Sequence, residues 1–227
     1  MKSSLPLKFM AKTVLAVSVA TALVACDNNA SKQVNAASPA NADSVSSQGS
    51  QSTVSGNVAD FKGTDITGTG FGKDVQLVDQ DGKSVTLLDA YRDKVMVVFF
   101  GFTQCPDVCP TTMAELAQVR EKLTPEQRDR VQVIMISIDP ERDTPAVMKQ
   151  YVSAFDPSFV GLTGTDEQIA KVASSFKAFY KKVEQGNSYT MEHSSGLYVL
   201  DTKGESRLLF KPNTPPEDIA SDIQKLL

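Results

Sequence analysis

Hydrophobic and polar positions divide the chain into sharply different stretches. Lys94–Phe102 (KVMVVFFGF) and Val131–Asp139 (VQVIMISID) are nearly unbroken apolar, β-branched runs, the pattern of strands buried on both faces. Val75–Leu87 alternates instead on either side of Asp81-Gly82, which predicts a hairpin. SGLYVLD and SRLLF, separated by Thr202-Lys203-Gly204, predict a second. Thr111–Leu123 reads as a helix, and Thr144-Pro145 as the N-cap and first position of another, AVMKQYVSAF. Residues 165–183, opened by Thr165-Asp166-Glu167 and closed by Lys181-Lys182, read as a longer helix, and PPEDIASDIQKLL as the last. The order strand–helix–strand–helix, then hairpin–helix, predicts an α/β domain with a mixed central sheet flanked by helices and an N-terminal β-hairpin extension.

Before Phe61 the pattern changes twice. Lys2, Lys8 and Lys12 precede an apolar run from Thr13 to Ala25, with no acidic residue before Asp27, which predicts an export signal over residues 1–25. The run is shorter than the roughly 20 apolar residues that span a bilayer. It ends in Leu23-Val24-Ala25-Cys26, which resembles a bacterial lipobox. That resemblance implies a lipid on Cys26 and an anchor to the periplasmic side of the membrane, and Asp27 beside it favours the inner membrane. Residues 27–57 contain no aromatic residue, Leu, Ile or Met. Such a segment buries too little apolar surface to offset its ordering entropy, so residues 26–60 are expected to be a flexible linker. About 30 residues of coil span near 30 Å. Residues 61–227 remain as one domain with one core.

Composition narrows the function. The net charge is −4 and no basic run occurs, so no electrostatic footprint for nucleic acid is present. The chain has three cysteines and one histidine. Export would place the thiols in an oxidising compartment. With Cys26 lipidated, Cys105 and Cys109 of GFTQCPDVCPTTM would be left as a structural disulfide, a redox pair or part of a metal site.

Topology bears on that choice. The strands ending at Phe102 and Asp139 are joined by a helical crossover and should be parallel, with their carboxyl ends on one sheet edge. The cysteine loop leaves the first strand there. His193 precedes the strand Ser195–Asp201, and if that strand is antiparallel its start lies on the same edge. Two thiolates and an imidazole then form a donor set for Cu(I), with room for a further ligand on Cu(II). Cys109 at a helix start is expected to have its thiolate favoured by the helix dipole. Asp139 or Glu192 could orient the ligands from outside. Zinc also fits two Cys and one His, but no general base stands out nearby. A disulfide across so short a loop constrains the unfolded chain little. A general disulfide exchanger would carry CxxC and an opposing Pro, and no Pro occurs between Pro157 and Pro212. The cysteines also lack the Pro-x-x-x-Thr-x-x-Cys pattern of peroxiredoxins.

GFTQCPDVCP, SIDPERDTP (Ser137–Pro145) and MEHSSGLYVLD (Met191–Asp201) together resemble the three signature segments of the Sco/SenC family. FKGTDITGTGFGKDVQLVDQDGK is similar to the start of the family domain, so the resemblance spans about 165 residues. Gln104 stands where many members have His, and Thr111 and Thr112 where acidic residues often follow. The resemblance implies a thioredoxin-like fold and a membrane-tethered copper chaperone rather than an enzyme. It further implies one copper, Cu(I) or Cu(II), per chain and the copper-bearing subunit of cytochrome c oxidase as partner. A copper donor protein or thiol reductant would act upstream. The alternative is a dedicated thiol–disulfide reductase that keeps the oxidase's copper-site cysteines reduced.

Overall fold

The computed structural model describes residues 60–227. In chain order these form β1 (Thr64–Asp65), β2 (Gln76–Asp79), β3 (Ser84–Thr86), α1 (Leu87–Ala90), β4 (Val95–Gly101) and α2 (Val108–Glu121). There follow α3 (Pro125–Asp129), β5 (Val131–Ser137), α4 (Pro145–Ser153), β6 (Val160–Thr163) and α5 (Asp166–Ser175). The chain closes with β7 (Tyr180–Gln185), β8 (Ser188–His193), β9 (Leu197–Leu200), β10 (Ser206–Phe210) and α6 (Pro216–Gln224). The expected signal over residues 1–25, Cys26 and nearly all of the expected linker lie outside the described residues. Among the described residues no helix is long and apolar enough to cross a membrane.

Eight strands form one mixed sheet in the order β1-β10-β9-β4-β5-β6-β2-β3. The two apolar runs become β4 and β5, every residue of which is buried. They pair in parallel from Val95 opposite Val131 to Gly101 opposite Ser137. β9 is antiparallel to β4, with Met96 opposite Leu200 and Phe99 opposite Leu197. The carboxyl ends of β4 and β5 and the start of β9 therefore share one edge. The Asp81-Gly82 hairpin forms as β2–β3, with Gly82 in the left-handed region at φ 80° that the turn requires. It borders the sheet by pairing with β6. Thr144 caps α4, its hydroxyl accepting from Val147 N–H at 3.4 Å.

The long helix expected over residues 165–183 stops at Ser175. Phe176 is its C-cap, and Lys177 sits in the left-handed region at φ 55°. Ala178 N–H donates to Ala173 O at 2.9 Å and Lys177 N–H to Ser174 O at 3.1 Å. This is a Schellman stop with lysine where glycine is usual, so the sequence carries no visible terminator. The next residues form a separate two-stranded sheet, β7–β8, turning at Gly186. His193, which precedes β9 as expected, is itself the last residue of β8.

Candidate metal centre

The sheet edge assembles the centre from three directions. The loop after β4 supplies Cys105, the first turn of α2 supplies Cys109, and the end of β8 supplies His193. One ligand atom from each lies within 4.8 Å of the others. Cys109 Sγ is 3.7 Å from His193 Nε2. Metal–sulfur and metal–imidazole bonds of about 2.3 and 2.0 Å, arranged trigonally, need sulfur–nitrogen separations of roughly 3.7 Å. The donor set is of the right kind and spacing for one soft ion such as Cu(I).

Helix α2 begins at Val108, three residues before the predicted start, and its N-cap Asp107 makes no side-chain cap. Instead Cys109 N–H donates to Cys105 Sγ at 3.4 Å. A sulfur thus satisfies one of the helix's free amides, an arrangement that stabilises negative charge on it. Cys109 itself is fully buried, and burial pushes its thiol well above the ordinary range. The helix start therefore does not leave Cys109 a ready thiolate in the metal-free protein, because desolvation outweighs the dipole. A bound cation would reverse that balance.

Two phenylalanines pack against His193. Phe99 and Phe102 meet the imidazole edge to face, with centroids at 6.2 and 5.9 Å. Its Nδ1 is 2.9 Å from Ser194 O, which suits a protonated Nδ1 and leaves Nε2 free toward the sulfurs. Burial holds the ring's pKa below the usual histidine value, so it stays neutral and ligand-competent at pH 7. The centre opens to solvent through a cavity of about 310 Å³ lined by Phe102, Cys105, Pro106, Val108, Met191 and His193.

Neither carboxylate considered for orienting the ligands bonds to them, although Glu192 lines the same cavity. Asp139 accepts from Arg142 and from the Tyr189 hydroxyl, the latter at 2.9 Å. Glu192 is exposed and faces Lys181 across the hairpin. The partner of the imidazole is a backbone carbonyl instead. Asp139 still matters indirectly. Arg142 donates to Tyr189 O at 3.0 Å and lies 3.8 Å over its ring, so Asp139 and Arg142 fasten the hairpin that carries His193.

Asp143 lies in the turn between β5 and α4. It is fully buried and binds the cysteine loop to β5. Its carboxylate accepts from Thr103 N–H at 3.0 Å, Thr103 O–H at 2.5 Å and Ser137 O–H at 2.6 Å. Burial raises its pKa despite those three bonds.

Residues 64–227 match the family model described as SCO1/SenC. The chain belongs to that family. An SCO2-like protein of Rickettsia felis is 37% identical over 151 residues, covering 65% of this chain and 73% of that one. Copper-bound ScoI of Bradyrhizobium japonicum is 41% identical, with a TM-score of 0.62 over 73% of this chain and 99% of that one. BsSco is a member of the Sco family of cytochrome c oxidase assembly proteins in which a disulfide switch was identified. It is 27% identical, with a TM-score of 0.58 over 72% of this chain and 96% of its own. The mixed sheet flanked by helices is the thioredoxin-like fold of these SCO1/SenC structures.

Proposed function

We propose that this SCO1/SenC protein is a copper chaperone. It carries one copper on Cys105, Cys109 and His193 and helps assemble the binuclear copper centre of cytochrome c oxidase. The convergence of two sulfurs and an imidazole within 4.8 Å carries this reading. The copper bound by the Bradyrhizobium relative and the assembly role named for BsSco's family support it. Its partners are the oxidase's copper-bearing subunit and an upstream copper donor or thiol reductant. The domain of residues 61–227 works at the end of the 26–60 linker, lipid-anchored through Cys26 to the periplasmic face of the inner membrane after loss of residues 1–25. Delivery needs no turnover.

A Cu(I) titration of the reduced protein against a competing chelator tests the centre. One tight equivalent is expected in the wild type, weakened at least tenfold by His193→Ala and lost with Cys105→Ser. Wild-type affinity in Cys105→Ser would overturn it.

A second reading rests on both described cysteines being free and on the Cys109 N–H to Cys105 Sγ contact of 3.4 Å. The pair could give two electrons and two protons to the disulfide of the apo oxidase subunit, becoming a disulfide itself. That reading expects His193→Ala to keep oxidase assembly while either Cys→Ser abolishes it. Assembly lost in His193→Ala favours copper delivery.

A further inference from the structure

Among the described residues, Met96, Met113, Met135 and Met148 are fully buried in the core. Met191 is the one described methionine that is only half-buried, and it lines the cavity of about 310 Å³ through which the metal centre meets solvent. It stands two residues before His193 on β8, so strand alternation puts both side chains on one face, with about 7 Å of strand between them. The burial pattern agrees, because Met191 and His193 are half-buried and Glu192 between them is exposed. Cys105 lines the same cavity, whereas Cys109 is fully buried and does not. An ion arriving from solvent therefore meets one thiol, a thioether and the imidazole before it meets the second thiol. His193 borders both positions, its Nε2 being 3.7 Å from Cys109 Sγ. Thioethers are soft donors that select Cu(I), and the three rotatable bonds of a methionine let its sulfur move without the backbone.

We propose that Met191 is an entry and exit ligand for copper, its thioether holding Cu(I) together with Cys105 and His193 at the cavity before the ion reaches Cys109. This role rests on the copper reading above and adds a residue to it. Cys105 gives up its proton to water as the ion arrives. Passage inward is then a ligand exchange with no change of oxidation state. The bond from Cu(I) to the Met191 sulfur breaks as one to Cys109 Sγ forms, and the Cys109 proton leaves to water. Release runs through the same steps in reverse. A thioether suits a temporary ligand because it binds and leaves without proton exchange, whereas a thiol must lose its proton to bind and regain it to leave. Glu192, which lines the same cavity, offers hard oxygen donors that compete poorly for Cu(I).

Cu(I) itself is the probe, on the full chain with its cysteines reduced. Cys109→Ala should stop the ion at the entry position. In selenomethionine-labelled Cys109→Ala, X-ray absorption at the copper edge should then show a selenium neighbour. Adding Met191→Leu should remove that neighbour and weaken Cu(I) binding about tenfold in chelator competition. Leucine keeps the volume, so packing is not the variable. In the otherwise unchanged chain, Met191→Leu should slow uptake from a chelator and release to one together, each about tenfold. Those rates decide the matter even where Cys109→Ala does not fold. A copper edge without selenium in folded Cys109→Ala, or wild-type rates in Met191→Leu, overturns the entry role and leaves the copper centre standing. Weakened affinity with an unchanged uptake rate overturns it as well, because Met191 would then be a resident ligand. A wild type that takes up no copper overturns the copper reading and the entry role with it.

Discussion

A methyl group at position 101 would lie 2.7 Å from Phe99 Cε1 and 3.0 Å from Cys109 Sγ. Both neighbours are fully buried and cannot swing into solvent. Gly101→Ala should therefore destabilise the domain by about 1–3 kcal/mol through overpacking. It should also displace the buried sulfur, so Cu(I) affinity should fall by more than the stability loss alone would bring. Urea unfolding and chelator competition on the same sample separate the two effects. Asp143 acts at the same scale from farther away in sequence, 40 residues beyond Thr103. Asp143→Ala leaves two hydroxyls and an amide without their acceptor and frees the cysteine loop. Copper affinity is expected to drop 10- to 100-fold, the usual effect of losing a group that orients ligands, and the chelator competition reads it directly. The cysteines and the histidine were readable in the sequence because few residue types supply soft donors. Gly101 and Asp143 were not, because their roles exist only through residues that the fold brings beside them.

At the level of elements, the centre is divided between two supports. Cys105 and Cys109 follow β4, the middle of an eight-stranded sheet, whereas His193 ends a hairpin that makes no ladder with that sheet. The hairpin is fastened by side chains instead. Arg142 reaches Tyr189 O, Tyr189 reaches Asp139, and Lys182 bonds Glu141 at 2.9 Å beneath the same tyrosine ring. Arg142→Ala should loosen the hairpin while sparing the core. Amide exchange should speed up in residues 180–193 and stay slow in β4 and β5, with weaker Cu(I) binding. Uniform loss of protection would contradict a separately supported hairpin. The strongly patterned elements, β4, β5 and both predicted hairpins, were visible in the sequence because burial on two faces or strict alternation leaves a signature. Strand β6 has only four residues, and β7–β8 is half exposed with a lysine pair in its first strand, so neither shows one. With a lysine closing α5, nothing in the sequence separated that helix from the strand after it.

On the scale of the whole molecule, the proposed tether and the described domain can be tested apart. Cys26→Ser should move the protein from the membrane fraction to the soluble one and leave the copper stoichiometry of the folded part unchanged. The domain's own boundaries have a consequence for its behaviour in concentrated solution. The sheet ends in β1, two residues long, and β3, three residues long. Borders this short present few free amide and carbonyl groups on which another molecule could extend the sheet. Without β1, the whole of β10 would become a border of five residues, SRLLF. Ile66→Pro removes the Ile66 N–H to Arg207 O bond of 3.0 Å that continues the β1 pairing. Scattered light should then climb with protein concentration, and oxidised samples should accumulate chains cross-linked through Cys105, the more accessible of the two described cysteines. A two-residue strand would thus cover the edge that the domain could otherwise offer to a second copy of itself.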